Sequence, residues 1–324
     1  MATDVFFYEA FAEEEQALRA CLPETVRAGF TRQTIQEYGQ ALPGAALISI
    51  RTQSAIPPEW ADHLQAILSR STGFDHLNAY RRQIGRNLPC GYLPLYCHRA
   101  VAEQALLMWL ALLRKLPKQM RQFRTFHRDG LTGGELHGRR LLVVGVGNIG
   151  YEVVKLGRGL GMQAAGVDLV QKHTDVQYGA IDELIGAADI IVCAMNLTKS
   201  NYGYFDVQRL RAAKRGVIFI NISRGELSPP AALLELLEQG HLGGAGLDVY
   251  QDEGLLATAL RAGRQSDNPN VLAVLRLAEM DNVILTPHNA FNTVEAVARK
   301  SEQSAQQVVE WLNRGEFLWP VPPE

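Results

Sequence analysis

The sequence predicts an α/β protein built from two parallel-sheet domains, and three observations carry that prediction. The chain has 324 residues, too many for one ordinary hydrophobic core and suited to two domains. Short apolar runs alternate with helix-like segments along nearly all of it, the pattern of strands joined by crossover helices. A second series of this kind starts after the polar connector HRDGLTGGELHGR, and its first strand runs directly into a glycine-rich turn.

In the first series, DVFFYEA reads as a strand, EEEQALRACL as a helix, AALISI as a strand, PPEWADHLQA as a helix and AILSR as a strand. The stretch His98–Phe126 has apolar positions at helical spacing around much of its circumference. It is therefore expected to be buried on several sides, with Pro117 kinking or splitting it. The second series gives strands at RLLVVG, MQAAGVD, ADIIVCA, GVIFINI, GGAGLDV and NVILT. NTVEAVARKSEQSAQQVVEWLNRG then forms an amphipathic helix of about six turns.

Composition narrows the class. Hydrophobic residues make up 47% and charged residues 20% of the chain, which describes a globular protein. A net charge of −2 leaves no basic excess for nucleic acid. The acidic start MATDVFFYEAFAEEEQ lacks the basic flank of a signal peptide. The longest apolar run, ALLMWLALL, falls short of the roughly 20 residues that span a bilayer, so no membrane association is expected. Cys21, Cys90, Cys97 and Cys193 have no CxxC spacing. A reduced, cytoplasmic protein without a metal site is expected.

The glycine-rich turn is GVGNIG, with Gly145, Gly147 and Gly150 in G-x-G-x-x-G spacing after the strand Leu141–Val144. The first glycine permits a tight turn and the second lets the backbone approach a pyrophosphate. The third lets helix pack on strand, and the phosphates sit on the helix N-terminus. The next strand ends at Asp168, about 20 residues downstream, where a carboxylate accepts the ribose hydroxyls of adenosine. Its charge would repel a 2′-phosphate, so NAD is the expected cofactor; Lys172 is the one nearby cation that favours NADP.

Three later strands end in chemically useful groups. VIFINISRG delivers Arg224, AGLDVYQDE delivers Asp248 and Glu253, and VILTPH delivers His288. Each alone has an ordinary structural reading: a solvated arginine, a loop carboxylate, a hydrogen-bonding histidine. In a parallel sheet their strand ends share one edge, where ligands bind. Reduction of a carbonyl needs a proton donor, which a histidine supplies. A carboxylate on the far ring nitrogen fixes the tautomer and favours the imidazolium. An arginine holds a substrate carboxylate and polarises the adjacent carbonyl. Together these groups describe a 2-oxoacid reductase.

GVGNIG with Asp168, NISRG, GAGLDVYQDE and NVILTPHNAF, in that order, resemble the D-isomer-specific 2-hydroxyacid dehydrogenases over essentially the whole chain. The resemblance implies two Rossmann-like or flavodoxin-like domains, with the active site in the interdomain cleft. Residues 1–98 plus 293–324 would form the substrate domain and 99–292 the dinucleotide-binding domain. It assigns Arg224 to substrate binding, Glu253 and His288 to the acid/base pair, and Asp248 to the nicotinamide carboxamide. Asn148, Ile149 and Thr198 complete the implied cofactor contacts. In RSTGFDHL the amides of Thr72 and Gly73 would meet the substrate carboxylate. Tyr96 and Phe291 would shape the side-chain pocket, with Arg51 a further candidate. A homodimer is implied as well.

Within the family, LSRSTGFDHL, TPHNAFNTVEA and the long Glu253–His288 connection are most similar to the D-lactate dehydrogenase branch. Cys97-His98, Gln104, MNLT, Ser228-Pro229 and Asn292 depart from the usual pattern of that branch. They bear on the substrate side chain and remove no catalytic group. Two alternatives share the fold: an NAD(H)-sensing corepressor, which would carry partner motifs that this chain does not show, and a formate dehydrogenase. Glu253 argues against the latter, whose chemistry needs no acid/base.

Overall fold

The structure, a computed structural model, describes residues 3–323. The chain divides into two compact units. One runs to Cys97 and resumes at Asn292, and the other is His98–Phe291.

The first unit is built on five parallel strands, β1 (Val5–Phe7), β2 (Ala28–Phe30), β3 (Leu47–Ile50), β4 (Ala66–Ser69) and β5 (Cys90–Gly91). Their order is β2-β1-β3-β4-β5, the flavodoxin-like arrangement. Strands β3 and β4 are buried at every position, as a sheet covered on both faces requires. Tyr8, Ile48, Ile50, Trp60, Ile67 and Leu77 lie at the heart of the core. The helix Ala12–Cys21 packs on the C-terminal helix Val294–Arg314. Thr293 caps the latter by accepting from Ala296 N–H, and Gly315 ends it in the left-handed conformation.

One expected helix is not there. PPEWADHLQA forms only a 3₁₀ turn, Pro58–Asp62. The buried indole of Trp60 anchors it, with Nε1 donating to Ala41 O at 3.0 Å, and the chain must be extended again by Ala66 to enter β4. Strand β2 has no apolar alternation to announce it, being three residues centred on a glycine.

The second unit holds seven parallel strands: β6 (Arg140–Val144), β7 (Gln163–Val167), β8 (Gln177–Tyr178), β9 (Ile190–Cys193), β10 (Val217–Asn221), β11 (Leu242–Leu247) and β12 (Val283–Leu285). Their order, β12-β11-β10-β9-β6-β7-β8, reverses direction between β6 and β9. That topological switch point is where a doubly wound sheet opens its ligand crevice.

The long apolar segment splits as expected near Pro117. One helix runs His98–Leu113, Lys115 turns left-handed at φ 53°, and a second helix runs Leu116–Gln122. The first packs on the helix Asn148–Gly159 and on β10 and β11. The glycines of β11 admit it: a Cβ on Gly246 would lie 2.9 Å from Met108 Cβ. Burial is nevertheless one-sided. Leu107, Leu110, Met120, Phe123 and Phe126 are exposed, so the apolar circumference exceeds what this unit covers.

Candidate active site

Strands β10, β11 and β12 are adjacent and parallel, so their carboxyl ends share one edge. Arg224 lies three residues past β10, Asp248 directly after β11, and His288 three residues past β12. The strand ends therefore set the spacing of the chemistry.

His288 and Glu253 meet directly. Nδ1 of the imidazole lies 2.9 Å from Oε1 and 3.0 Å from Oε2 of the carboxylate. The two side chains are 21% and 19% exposed, so the pair keeps access to solvent. With Nδ1 committed to the carboxylate, Nε2 is the ring atom left for proton exchange.

The backbone around this pair is unusual. His288 sits at φ 51°, a left-handed conformation that costs a non-glycine residue about 1–3 kcal/mol unless its surroundings impose it. Asp248 imposes it. Its Oδ1 accepts from Thr286 Oγ1 at 2.5 Å and from Asn289 N–H at 2.8 Å, and its Oδ2 accepts from Ala290 N–H at 2.9 Å. Tyr250 donates its hydroxyl to Thr286 O at 2.8 Å. Burial raises the Asp248 carboxyl above its ordinary value, against these donors. Glu253 is held in a similar way. Asp252, left-handed at φ 57°, precedes it and accepts from Asn268 and Asn270 Nδ2 at 3.0 and 2.8 Å.

Arg224 stands in extended backbone, its Nη1 donating to Ser223 O at 2.9 Å. Asn221 shapes the turn by donating to Arg224 O at 2.9 Å and Ser228 Oγ at 2.8 Å. Gly225 is required there: a Cβ would come within 1.9 Å of the Tyr250 carbonyl carbon. The Arg224 turn and the loop carrying Tyr250 and Glu253 are thus packed backbone to backbone.

The glycine loop is sterically constrained at two of its three glycines. Gly145 has φ 90°, and a Cβ on Gly150 would strike Gly145 O at 1.9 Å, so both are steric necessities. A Cβ on Gly147 would meet nothing within 4 Å, leaving open space at the start of the helix Asn148–Gly159. Asn148 and Ile149 form its first turn, with amide N–H groups available to a phosphate. Asp168 Oδ2 accepts from Val146 N–H at 2.6 Å, and Oδ1 from Val170 N–H at 3.0 Å. Each oxygen retains a lone pair for a ribose hydroxyl. Thr198 lies in the exposed loop after β9, its N–H donating to Asn201 Oδ1 at 2.7 Å.

Phe291 is buried just beyond the Asp248-clamped turn. The remaining substrate candidates belong to the first unit. The Ser71 hydroxyl donates to Gly73 O at 2.7 Å, which shapes the turn holding Thr72. Thr72 Oγ1 lies 3.4 Å from Cys97 Sγ, next to the buried Tyr96. Arg51 N–H donates to Glu9 Oε2 at 3.0 Å.

Sequence reasoning missed Thr286, Tyr250, Asp252, Asn268 and Asn270, which hydrogen-bond around the pair; their spacing carries no local signal. A cavity of about 500 Å³ lies elsewhere, lined by Arg140, Arg158, Gln163 and Gln177 at the amino ends of β6 and β7. The candidate residues lie instead at the carboxyl ends of β10, β11 and β12.

Residues 106–290 match the family described as D-isomer specific 2-hydroxyacid dehydrogenase, NAD binding domain. The chain is 31% identical over 246 residues to a 2-hydroxyacid dehydrogenase A of Aspergillus oryzae, covering 74% of this chain and 69% of that one. It is 30% identical over 257 residues to the D-lactate dehydrogenase of Escherichia coli, covering 77% and 76%. The structure of a D-lactate dehydrogenase from Aquifex aeolicus with NAD and lactic acid superposes with a TM-score of 0.83 at 27% identity, over 99% of this chain and 100% of that one. The chain therefore belongs to the D-isomer-specific 2-hydroxyacid dehydrogenases, as an NAD-dependent member similar to D-lactate dehydrogenases.

Proposed function

We propose that this protein interconverts a 2-oxoacid and its D-2-hydroxyacid, with His288 as the acid/base, Glu253 as its partner and Arg224 holding the substrate. The observation that carries the reading is the His288–Glu253 pair at the carboxyl end of β12, beside the Arg224 turn. NAD, bound along the glycine loop and Asp168, supplies the two-electron chemistry. Nε2 of His288 gives a proton to the substrate oxygen in reduction and takes it back in oxidation. Glu253 stabilises the protonated ring, and Asp248 keeps the ring where it can act. The remaining lone-pair site on Asp248 Oδ2 can also take the carboxamide N–H of the cofactor. Arg224 presents a forked donor to the carboxylate and carbonyl of the substrate. Phe291 would border the substrate side chain.

The exposed flank of Leu107, Leu110, Met120, Phe123 and Phe126 supports a homodimer, since a second copy would remove that apolar surface from water. The four cysteines are free, in keeping with a reducing, cytoplasmic setting. No helix among the described residues is long and apolar enough to cross a membrane. A corepressor-like role is not favoured, because a clamped, solvent-accessible His–Glu pair is machinery that binding alone does not need.

A steady-state screen of small, branched and aromatic 2-oxoacids with NADH and NADPH tests the proposal. NADH oxidation with at least one of them, abolished in His288→Ala, is the expected result. NADH binding without turnover across the whole panel would overturn it.

A further inference from the structure

The segment that leaves Asp168 towards β8 has little of its own to hold it. Leu169, Val170, Gln171 and Lys172 are all exposed. Asp168 Oδ1 accepts from Val170 N–H at 3.0 Å, and Val170 O accepts from Lys172 N–H at 2.9 Å. These links shape the segment without tying it to another element, so its placement comes from the residues that follow.

His173 supplies the tie. Its imidazole stacks on the Tyr151 ring, with centroids 3.8 Å apart and planes 1° from parallel. Tyr151 belongs to the first turn of the helix Asn148–Gly159, directly after Gly150. Its hydroxyl donates to Asp175 Oδ2 at 3.2 Å. Arg158, about two turns further along the same helix, donates to Asp175 Oδ2 at 3.0 Å and to its backbone oxygen at 2.6 Å. His173 N–H donates to Tyr178 Oη at 3.3 Å. Val176 is buried over Gly166 of β7, where a Cβ would lie 3.0 Å from Val176 Cγ1 and 2.6 Å from Val146 Cγ2. The dinucleotide helix, the glycine loop and the segment beyond Asp168 are thereby joined around one aromatic stack.

Two details say what the histidine contributes. Aromatic pairs usually set their centroids about 4.5–7 Å apart, offset or edge-on; this pair is closer and flat. His173 Nε2 is also buried with no hydrogen-bond partner among the described residues. An unpaired buried nitrogen costs stability, so hydrogen bonding at that atom is not the contribution. The flat ring is.

We propose that the Tyr151–His173 stack positions the adenosine end of the cofactor site and so sustains the preference for NADH over NADPH. It holds segment 169–175 in one place. With it are held the Asp168 carboxylate, which accepts the ribose hydroxyls, and the Lys172 amine, whose charge favours a 2′-phosphate. This rests on the assignment of Asp168 to the ribose and adds the residues that keep it effective. Tyr151 and His173 are positioning residues. Without the stack, Lys172 gains freedom to approach a 2′-phosphate, and the preference narrows.

Cofactor binding tests this without a known substrate, through Kd for NADH and for NADPH in fluorescence titrations. His173→Ala is expected to weaken NADH binding about five- to tenfold, roughly what one aromatic stack contributes, and to weaken NADPH binding less. The ratio of the two Kd values therefore moves towards one. Tyr151→Leu, which removes the other ring, should reproduce the effect. His173→Phe keeps the flat ring and removes the unpaired nitrogen, so it should bind NADH within about twofold of wild type. A lower Tm in His173→Ala with both Kd values unchanged overturns the inference, since the stack would then serve stability alone. So does a His173→Phe variant as weak as His173→Ala, because the ring would not be what acts. Asp168→Asn separates this failure from that of the underlying assignment. If it narrows the preference while His173→Ala does not, only the stack's role falls; if it leaves both Kd values unchanged, the ribose assignment falls and the inference with it.

Discussion

The molecule holds two cation–carboxylate pairs that look alike on paper and behave differently. His288–Glu253 in the second unit is about one-fifth exposed on each side. Lys300–Glu14, with Arg70, in the first unit is fully dry. A wet pair can exchange protons with solvent and substrate, so it can take part in chemistry. A dry pair trades a large desolvation cost for mutual attraction and is poorly placed to cycle protons. It ties together three segments, near Glu14, Arg70 and Lys300. Partner types do not distinguish the two pairs; access to water does.

The largest expected effect breaks the wet pair. His288→Ala should lower kcat for 2-oxoacid reduction by about 10³-fold, within the usual range for a lost general acid, with NADH binding unchanged in a fluorescence titration. A loss of NADH affinity in place of kcat would turn His288 into a cofactor-site residue and erase the contrast.

Next comes the dry pair. Glu14→Ala leaves Arg70 and Lys300 buried without their anion, and should cost about 3–5 kcal/mol in urea unfolding of the first unit. Glu14 shows the sign of the attraction: despite burial, Arg70 and Lys300 hold its carboxyl at about 2, down from 4.5. Its contribution is therefore present above about pH 4.5 and is lost as the pH falls through about 2. A variant as stable as the wild type at pH 7 would mean that the cluster contributes no net stability.

Arg224→Lys is a smaller perturbation, because charge survives and only the fork is lost. A drop of about 10²-fold in kcat/KM is expected, mostly through KM. An equal fall in kcat with KM unchanged would instead place Arg224 in transition-state stabilisation alone.

The same contrast explains how much was legible in the residues alone. The second unit places its candidate residues at strand ends, so each sits within six residues of a recognisable apolar run. Gly145, Asp168, Arg224, Glu253 and His288 could all be nominated by reading along the chain. The devices that aim them could not. Asp248 reads as a ligand contact, yet its two oxygens spend three hydrogen bonds on the turn of His288, which only the fold brings within reach. The dry cluster was illegible for the same reason. Glu14 looks like one of three surface acids in EEEQ, and Lys300 like a solvated residue of an amphipathic helix. Helical phase buries both, and no local pattern pairs residues so far apart. The apolar His98–Phe126 segment misled in the opposite direction, because apolarity signals burial without saying by what.

The smallest expected effect tests whether the dry pair is dry in the energetic sense. Burial lowers the Lys300 amine from 10.5 to about 7. Between those values the unfolded chain binds more protons at this site than the folded one, so stability must rise with pH across that window. The slope approaches about 1 kcal/mol per pH unit where the folded amine is neutral and the unfolded one charged, and it vanishes below pH 7. Lys300→Met removes the titrating group and with it this contribution. The difference in unfolding free energy between wild type and Lys300→Met, measured in urea at pH 7, 8 and 9, should therefore grow in favour of the wild type. A flat difference would mean that Glu14 keeps the amine charged through pH 9, so that attraction outweighs desolvation. The pair would then differ from His288–Glu253 in position but not in kind.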